Sequence, residues 1–137
     1  MTLITSQLAL GDCHDAAIHS EQVDAFLCCA EELTLPRNKP GHHLPITVGA
    51  PFDSPALEAA FRFLDEQLKS KRLVLVYCAA GSSRSASVLI GYLAMRNAES
   101  PKSMLRRIRK LRPAVRPSEL TFQSVVQYVD EMRLKGR

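Results

Sequence analysis

The stretch Leu73-Val74-Leu75-Val76-Tyr77-Cys78-Ala79-Ala80-Gly81-Ser82-Ser83-Arg84-Ser85 decides the reading of this chain. Five apolar residues, entered through the charged pair Lys71-Arg72, have the character of a strand covered on both faces. Every residue between Cys78 and Arg84 is small, and from Ser85 onward Val88, Leu89, Tyr92 and Met95 recur at helical spacing. The unit is therefore a central strand, a tight loop and a helix. A loop of this kind can curl until its N–H groups point inward beside a helix N-terminus, where an anion is held, and phosphate is the natural guest. The same field favours thiolate over thiol, so Cys78 is expected to ionise below the usual thiol range and to act as a nucleophile. Arg84 has the planar fork that grips two equatorial phosphoryl oxygens, more tightly as charge spreads in the transition state. The spacing of Cys78 and Arg84 is weak evidence alone; its place between strand and helix gives it weight. The competing reading makes Cys78 a small buried hydrophobe at a strand end and Arg84 a solvated helix-start residue.

Outward from this unit, Leu8 to Leu10 is a short apolar run closed by Gly11-Asp12, and Asp15 to His19 is a short helix or turn. Val23 to Cys29 is a second buried strand. Pro36, Asn38, Pro40 and Gly41 mark a loop, after which Leu44 to Val48 is predicted as another strand ending at Gly49. A short, flexible loop, Gly49 to Asp53, follows. Ser54 is predicted to cap a helix with Pro55 at its first position, its apolar stripe running through Leu57, Phe61, Leu64 and Leu68 to about Lys69. Ser100-Pro101 opens another helix to about Arg112. Ser118 caps a last one with Phe122, Val125, Val126, Val129 and Met132 on its apolar face. Strands come early, alternate with helices and give way to a helical second half, which predicts an α/β domain with a central, mostly parallel sheet flanked by helices.

A chain of 137 residues with 46% hydrophobic and 23% charged residues has the size and composition of one globular domain, residues 1–137, and neither of a disordered nor of a disulfide-dense protein. Its longest apolar run is far short of a membrane span, and Met1-Thr2-Leu3-Ile4 lacks the basic flank of a signal peptide, so a cytoplasmic protein is expected. Cysteines 13, 28, 29 and 78 spell no CxxC pair, and reduced thiols fit best. Histidines 14, 19, 42 and 43 share no spacing that would aim them at one metal, and are read as exposed loop residues. The net charge of +4 is uneven: Lys102 to Arg116 carries seven cations and no acid, leaving −3 on the rest. That patch could steer acidic or phosphorylated partners, but a solvated helix face is the simpler reading. No aromatic residue is interleaved to stack bases, so no nucleic-acid partner is expected.

The loop Cys78 to Ser85 resembles the phosphate-binding signature of the cysteine-dependent dual-specificity protein phosphatases. The resemblance covers nearly the whole chain. Leu8 to Asp12 looks like the family's opening strand, Val23 to Leu33 like its strand leading to an acidic turn, Leu44-Pro45-Ile46 like the strand before its acid loop, and Arg112-Pro113 with Pro117 and Phe122 like its C-terminal element. The compact length resembles this branch rather than the larger tyrosine-specific domains. The resemblance implies that Cys78 attacks phosphorus to give a cysteinyl-phosphate, that residues 79–84 (Ala79, Ala80, Gly81, Ser82, Ser83 and Arg84) bind the phosphoryl group, and that Ser85 assists release of the thiolate. It implies no metal and no cofactor. The substrate would be a phosphorylated protein, through phosphotyrosine and also phosphoserine or phosphothreonine.

Two departures from the family pattern stand out. Tyr77 occupies the place usually held by histidine, and reads either as a strand residue or as a weaker tuner of the thiolate. Where the family carries its general acid, this chain has Thr47-Val48-Gly49-Ala50, without a carboxylate. Asp53 is the nearby substitute, and reads equally as a residue of the following helix's first turn. Two other functions are therefore carried forward. One is a weakly active or inactive module that binds phosphorylated partners. The other is a redox or arsenate-reducing use of the loop, which would need a resolving cysteine beside Cys78.

Overall fold

The computed structural model describes residues 1–136. Its strands are β1 (Thr2–Leu3), β2 (Leu8–Gly11), β3 (Ala25–Cys28), β4 (Gly41–His43) and β5 (Val74–Tyr77). Its helices are α1 (Cys13–Ile18), α2 (Ser54–Lys69), α3 (Arg84–Asn97), α4 (Pro101–Leu111) and α5 (Glu119–Leu134). The strands form one sheet in the order β1-β2-β5-β3-β4, with β5 at its centre. β5 pairs in parallel with both β2 and β3, β3 pairs in parallel with β4, and only β1 runs antiparallel, against β2. The fold is thus α/β with a mixed, mostly parallel sheet. All residues of β2, β3 and β5 are buried, as their continuous apolar character requires.

Side-chain alternation along β5 assigns the two faces of the sheet. Leu75 and Tyr77 share a face with Phe26 and Cys28, and the rings of Phe26 and Tyr77 meet edge to face at 6.2 Å. Helix α1 supplies Ala16 and Ala17 around Tyr77 on this side. Val74, Val76 and Cys78 point to the other face, where α3 packs against β5 and β2, with α4 and α5 against α3. Phe61 of α2 joins that layer through Tyr92 of α3 (5.4 Å) and Tyr128 of α5 (5.6 Å). No helix among the described residues is long and apolar enough to cross a membrane.

Several local expectations are corrected. The strand predicted at Leu44–Val48 forms instead at Gly41–His43, and the chain only continues alongside β3 through Leu44 N–H to Cys28 O (2.8 Å) and Glu31 N–H to Ile46 O (3.2 Å). Pro45 has no N–H to donate to a ladder, while Leu44 and Ile46 are still buried, which is what gave the run its strand-like pattern. Helix α2 is capped by Asp53 rather than Ser54, which puts Pro55 at the second position. His42 and His43 lie on β4 rather than in a loop: His42 stacks on Phe63, and His43 Nε2 contacts Ala30 O at 2.8 Å. The two-residue β1 was not foreseen.

Candidate active site

Cys78 follows the last residue of β5, and Arg84 is the first residue of α3, so sheet and helix hold the ends of the loop between them. Four of the loop's carbonyls, those of Ala79, Gly81, Ser82 and Ser83, are bonded from outside it. Ala79 O accepts from Cys13 N–H (3.4 Å), Gly81 O from Arg112 Nε (3.0 Å) and Ser82 O from Arg116 N–H (2.8 Å). Ser83 O accepts from Ser87 N–H in the first turn of α3 (2.8 Å), and Ser83 Oγ from Ser118 N–H (2.9 Å). Among the described residues, no backbone carbonyl accepts from the N–H groups of residues 79–83. The Gly81 N–H is turned to Cys78 beside the N-terminus of α3, the placement an anion cradle requires.

Cys78 is 2% exposed, and its Sγ lies 3.0 Å from Ser85 Oγ. Burial pushes its pKa up. The Ser85 hydroxyl, the N–H groups of Ser85 and Gly81 and the charge of Arg84 outweigh burial, and the thiol ends below its ordinary value. Ser85, on the first turn of α3, is thereby placed to donate to the thiolate.

Arg84 is 4% exposed, not solvated. Its guanidinium lies end-on against Glu32, Nη1 donating to Oε1 (2.7 Å) and Nη2 to Oε2 (2.6 Å), and Nη1 also donates to Ile46 O (2.8 Å). Glu32 was missed as a site residue. Its signal in the sequence is the acidic turn Glu31-Glu32 after the second buried strand, but nothing in a linear chain says that this turn faces an arginine fifty-two residues away. The pairing with Arg84 holds the Glu32 carboxyl at about 2 and raises the arginine further. Arg112 is the second residue whose role was missed: besides Gly81 O it reaches Thr2 Oγ1 (2.9 Å), so the basic run is in part a brace for the loop rather than only a solvated face.

Tyr77 points away from Cys78, and its hydroxyl donates to Thr34 O (2.8 Å) on the α1 side. It acts there as a packed strand residue, and burial holds its phenol protonated. Asp53 caps α2, accepting from Ala56 N–H at 3.1 Å. The loop before it, expected to be flexible, is tied at two points. Ala50 O accepts from Thr121 Oγ1 (2.7 Å) and Phe52 N–H donates to Ser124 Oγ (2.9 Å), which staples the loop to α5. Val48, where a carboxylate was sought, is 73% exposed.

All four cysteines are free. Cys28 pairs with Tyr77 across β3 and β5, and Cys29 N–H donates to Tyr77 O (2.8 Å), so Cys29 and Cys78 are the next cross-strand neighbours on the opposite face. Parallel strands are spaced about 4.8 Å apart, within the Cα separation that a disulfide spans.

A buried cysteine at a strand end, its pKa lowered by the helix that follows, and a buried arginine six residues on make this loop the candidate active site. Comparison with known proteins agrees. Residues 19–131 match the family described as "Dual specificity phosphatase, catalytic domain", and the chain belongs to that family. It is 30% identical over 76 residues to the dual specificity protein phosphatase Mpk3 of Drosophila melanogaster, covering 56% of this chain and 18% of that protein. To human dual specificity protein phosphatase 16 it is 32% identical over 84 residues, covering 61% and 12%. The chain thus spans less than a fifth of the length of these relatives. Among solved structures it superposes on human DUSP28 with a TM-score of 0.90 at 18% identity, covering 98% of this chain and 99% of that one. DUSP15 gives 0.87 at 18% identity, covering 98% and 90%.

Proposed function

We propose that this protein hydrolyses phosphotyrosine in protein substrates through a cysteinyl-phosphate on Cys78. The observation that carries the reading is the buried Cys78 sulfur against Ser85 Oγ, with the N–H groups of Gly81 and Ser85 turned to it and Arg84 held nearby by Ile46 O. The thiolate attacks phosphorus in line with the leaving oxygen. Arg84 and the loop N–H groups hold the equatorial oxygens while charge builds on them. Water then attacks the cysteinyl-phosphate, and Ser85 donates to the departing thiolate.

The proton for the leaving oxygen has no carboxylate in place at residues 47–50, and Asp53 is engaged as a helix cap. Phenols ionise near pKa ~10 and leave without help far better than serine or threonine alkoxides, so phosphotyrosine is favoured over phosphoserine and phosphothreonine. The same observation favours a second reading, a module of the same site that binds phosphorylated partners with little turnover.

Turnover of p-nitrophenyl phosphate by the wild-type protein and by Cys78→Ser tests the two. Hydrolysis that vanishes in the variant while oxyanion binding persists supports the enzyme. Substantial residual turnover in the variant removes Cys78 as nucleophile. Phosphopeptide binding without wild-type turnover selects the binding module.

A further inference from the structure

We propose that the end of α4 and the connection from it to α5 form a docking surface for an anionic lipid membrane, seated beside the phosphate loop. Residues 99–119 carry seven cations against two acids, a local charge of +5 on a chain whose net charge is +4. Both acids are engaged, Glu99 by Arg107 (2.5 Å) and Glu119 by Gln123 Nε2 (3.3 Å). Two further cations serve the fold, Arg109 through Val115 O (3.1 Å) and Arg112 through Gly81 O and Thr2 Oγ1. Lys110 and Arg116 are exposed and carry no side-chain hydrogen bond or ion pair among the described residues. Arg106 and Lys102 stand exposed one and two turns before Lys110, on the same side of α4.

Positive charge alone would suit any polyanion. What selects a bilayer is the apolar tip among these cations. Val115 N–H donates to Arg112 O (3.0 Å), closing a turn with Pro113 and Ala114 at its centre, both exposed. Pro113 fixes its own φ and the buried Val115 anchors the turn, so the tip is preformed and little ordering is lost on docking. Leu111, just before it, is 53% exposed. It shares a cavity of about 340 Å³ with the buried Leu93, Met104 and Ile108 and the exposed Arg107 and Lys110. Apolar surface next to cations matches a lipid, whose acyl chains lie under a charged headgroup. An acidic peptide would neutralise the charge but leave Leu111 in water. A nucleic acid would want aromatic rings for its bases, and residues 99–119 have none. Arg112 Nε and Arg116 N–H bond Gly81 O and Ser82 O, so the tip abuts the phosphate loop, and a bilayer under it lies at the edge of the candidate active site. The docking does not depend on the phosphatase reading, because it is measured without turnover.

The experiment measures partitioning of the whole chain onto vesicles of phosphatidylcholine alone and of phosphatidylcholine mixed with phosphatidylserine. Wild type should bind the mixed vesicles, not the neutral ones, and binding should fall as salt is raised. Each cation near an anionic surface is worth about fivefold in partitioning, so Arg106→Gln with Lys110→Gln should bind about 25-fold more weakly. Lys69→Gln with Lys71→Gln removes the same charge from exposed positions at the end of α2, and should stay within about twofold of wild type. Leu111→Ser should bind about fivefold more weakly, because half a leucine side chain no longer leaves water. Melting temperatures confirm that each variant is folded. Equal loss from the two charge pairs would reduce the effect to net charge and overturn the proposal. So would equal binding to both kinds of vesicle, binding to neither, or wild-type affinity in Leu111→Ser. Polyglutamate that binds where mixed vesicles do not would assign the surface to an acidic protein instead.

Discussion

Gly81 and Gly49 allow the cost of crowding the phosphate loop to be separated from the cost of its backbone conformation. Both have left-handed backbone angles, φ +67° at Gly81 and φ +77° at Gly49. A Cβ on Gly49 would meet nothing within 4 Å, whereas one on Gly81 would lie 2.5 Å from Gly11 O and 2.7 Å from Arg112 Nη2. Gly49→Ala therefore carries only the conformational penalty, about 1–2 kcal/mol. Gly81→Ala carries the same penalty plus overlap with a strand backbone that has little room to shift, about 1–3 kcal/mol. It also disturbs the charged bond from Arg112 to Gly81 O, which brings the total to about 3–6 kcal/mol. For a domain of this size each kcal/mol lowers the melting temperature by about 3–4 °C. Because the Gly81 N–H faces Cys78, Gly81→Ala should also lose vanadate binding, which Gly49→Ala should keep. Urea unfolding and calorimetric vanadate titration of the two variants decide the matter. If the two destabilisations agree within about 1 kcal/mol, the close approach of Gly81 to Gly11 is not what the residue is for.

Three further outcomes are expected. Asp53→Asn should leave stability within about 0.5 kcal/mol, because asparagine caps as well as aspartate, whereas Asp53→Ala should cost about 1 kcal/mol. The capping bond leads us to expect unchanged turnover of phosphotyrosine in the Asn variant; a loss confined to phosphotyrosine, absent on a highly activated aryl phosphate, would make Asp53 the general acid. Glu32 has a carboxyl depressed from 4.5 to about 2 by Arg84, so its contribution to stability is present above the unfolded value and is lost as pH falls from about 4.5 through 2. The difference in urea midpoint between wild type and Glu32→Gln should shrink across that window, and a difference constant from pH 6 to pH 2 would refute the pairing. Finally, hydrogen peroxide should oxidise Cys78 to the sulfenic acid, and Cys29 should condense with it, releasing water and leaving a disulfide. Peptide mapping that finds Cys78 bridged to Cys28 or Cys13 instead would contradict the register of β3 and β5.

The local chemistry of the site was legible in the sequence because it is contiguous. A buried strand, five small residues, an arginine and a helix start form one covalent unit, and neither Cys78, Arg84 nor Ser85 depends on a distant segment for its place in it. Strand patterning likewise exposed β2, β3 and β5, since residues covered on both faces must be apolar throughout. What lay beyond the sequence were pairings across the fold. Glu32 meets Arg84, Arg112 reaches back to Gly81 and Thr2, Thr121 and Ser124 staple the loop before Asp53, and Cys29 stands beside Cys78. Leu44 to Val48 shows the same limit within one segment: its buried apolar positions read as a strand, but β4 forms where β3 offers free partners, at Gly41–His43. Hydrophobic periodicity records only that a side chain leaves water. Which polar groups then face one another, and so which of them can steer a phosphoryl group, is decided by the register and crossing of elements far apart in the chain.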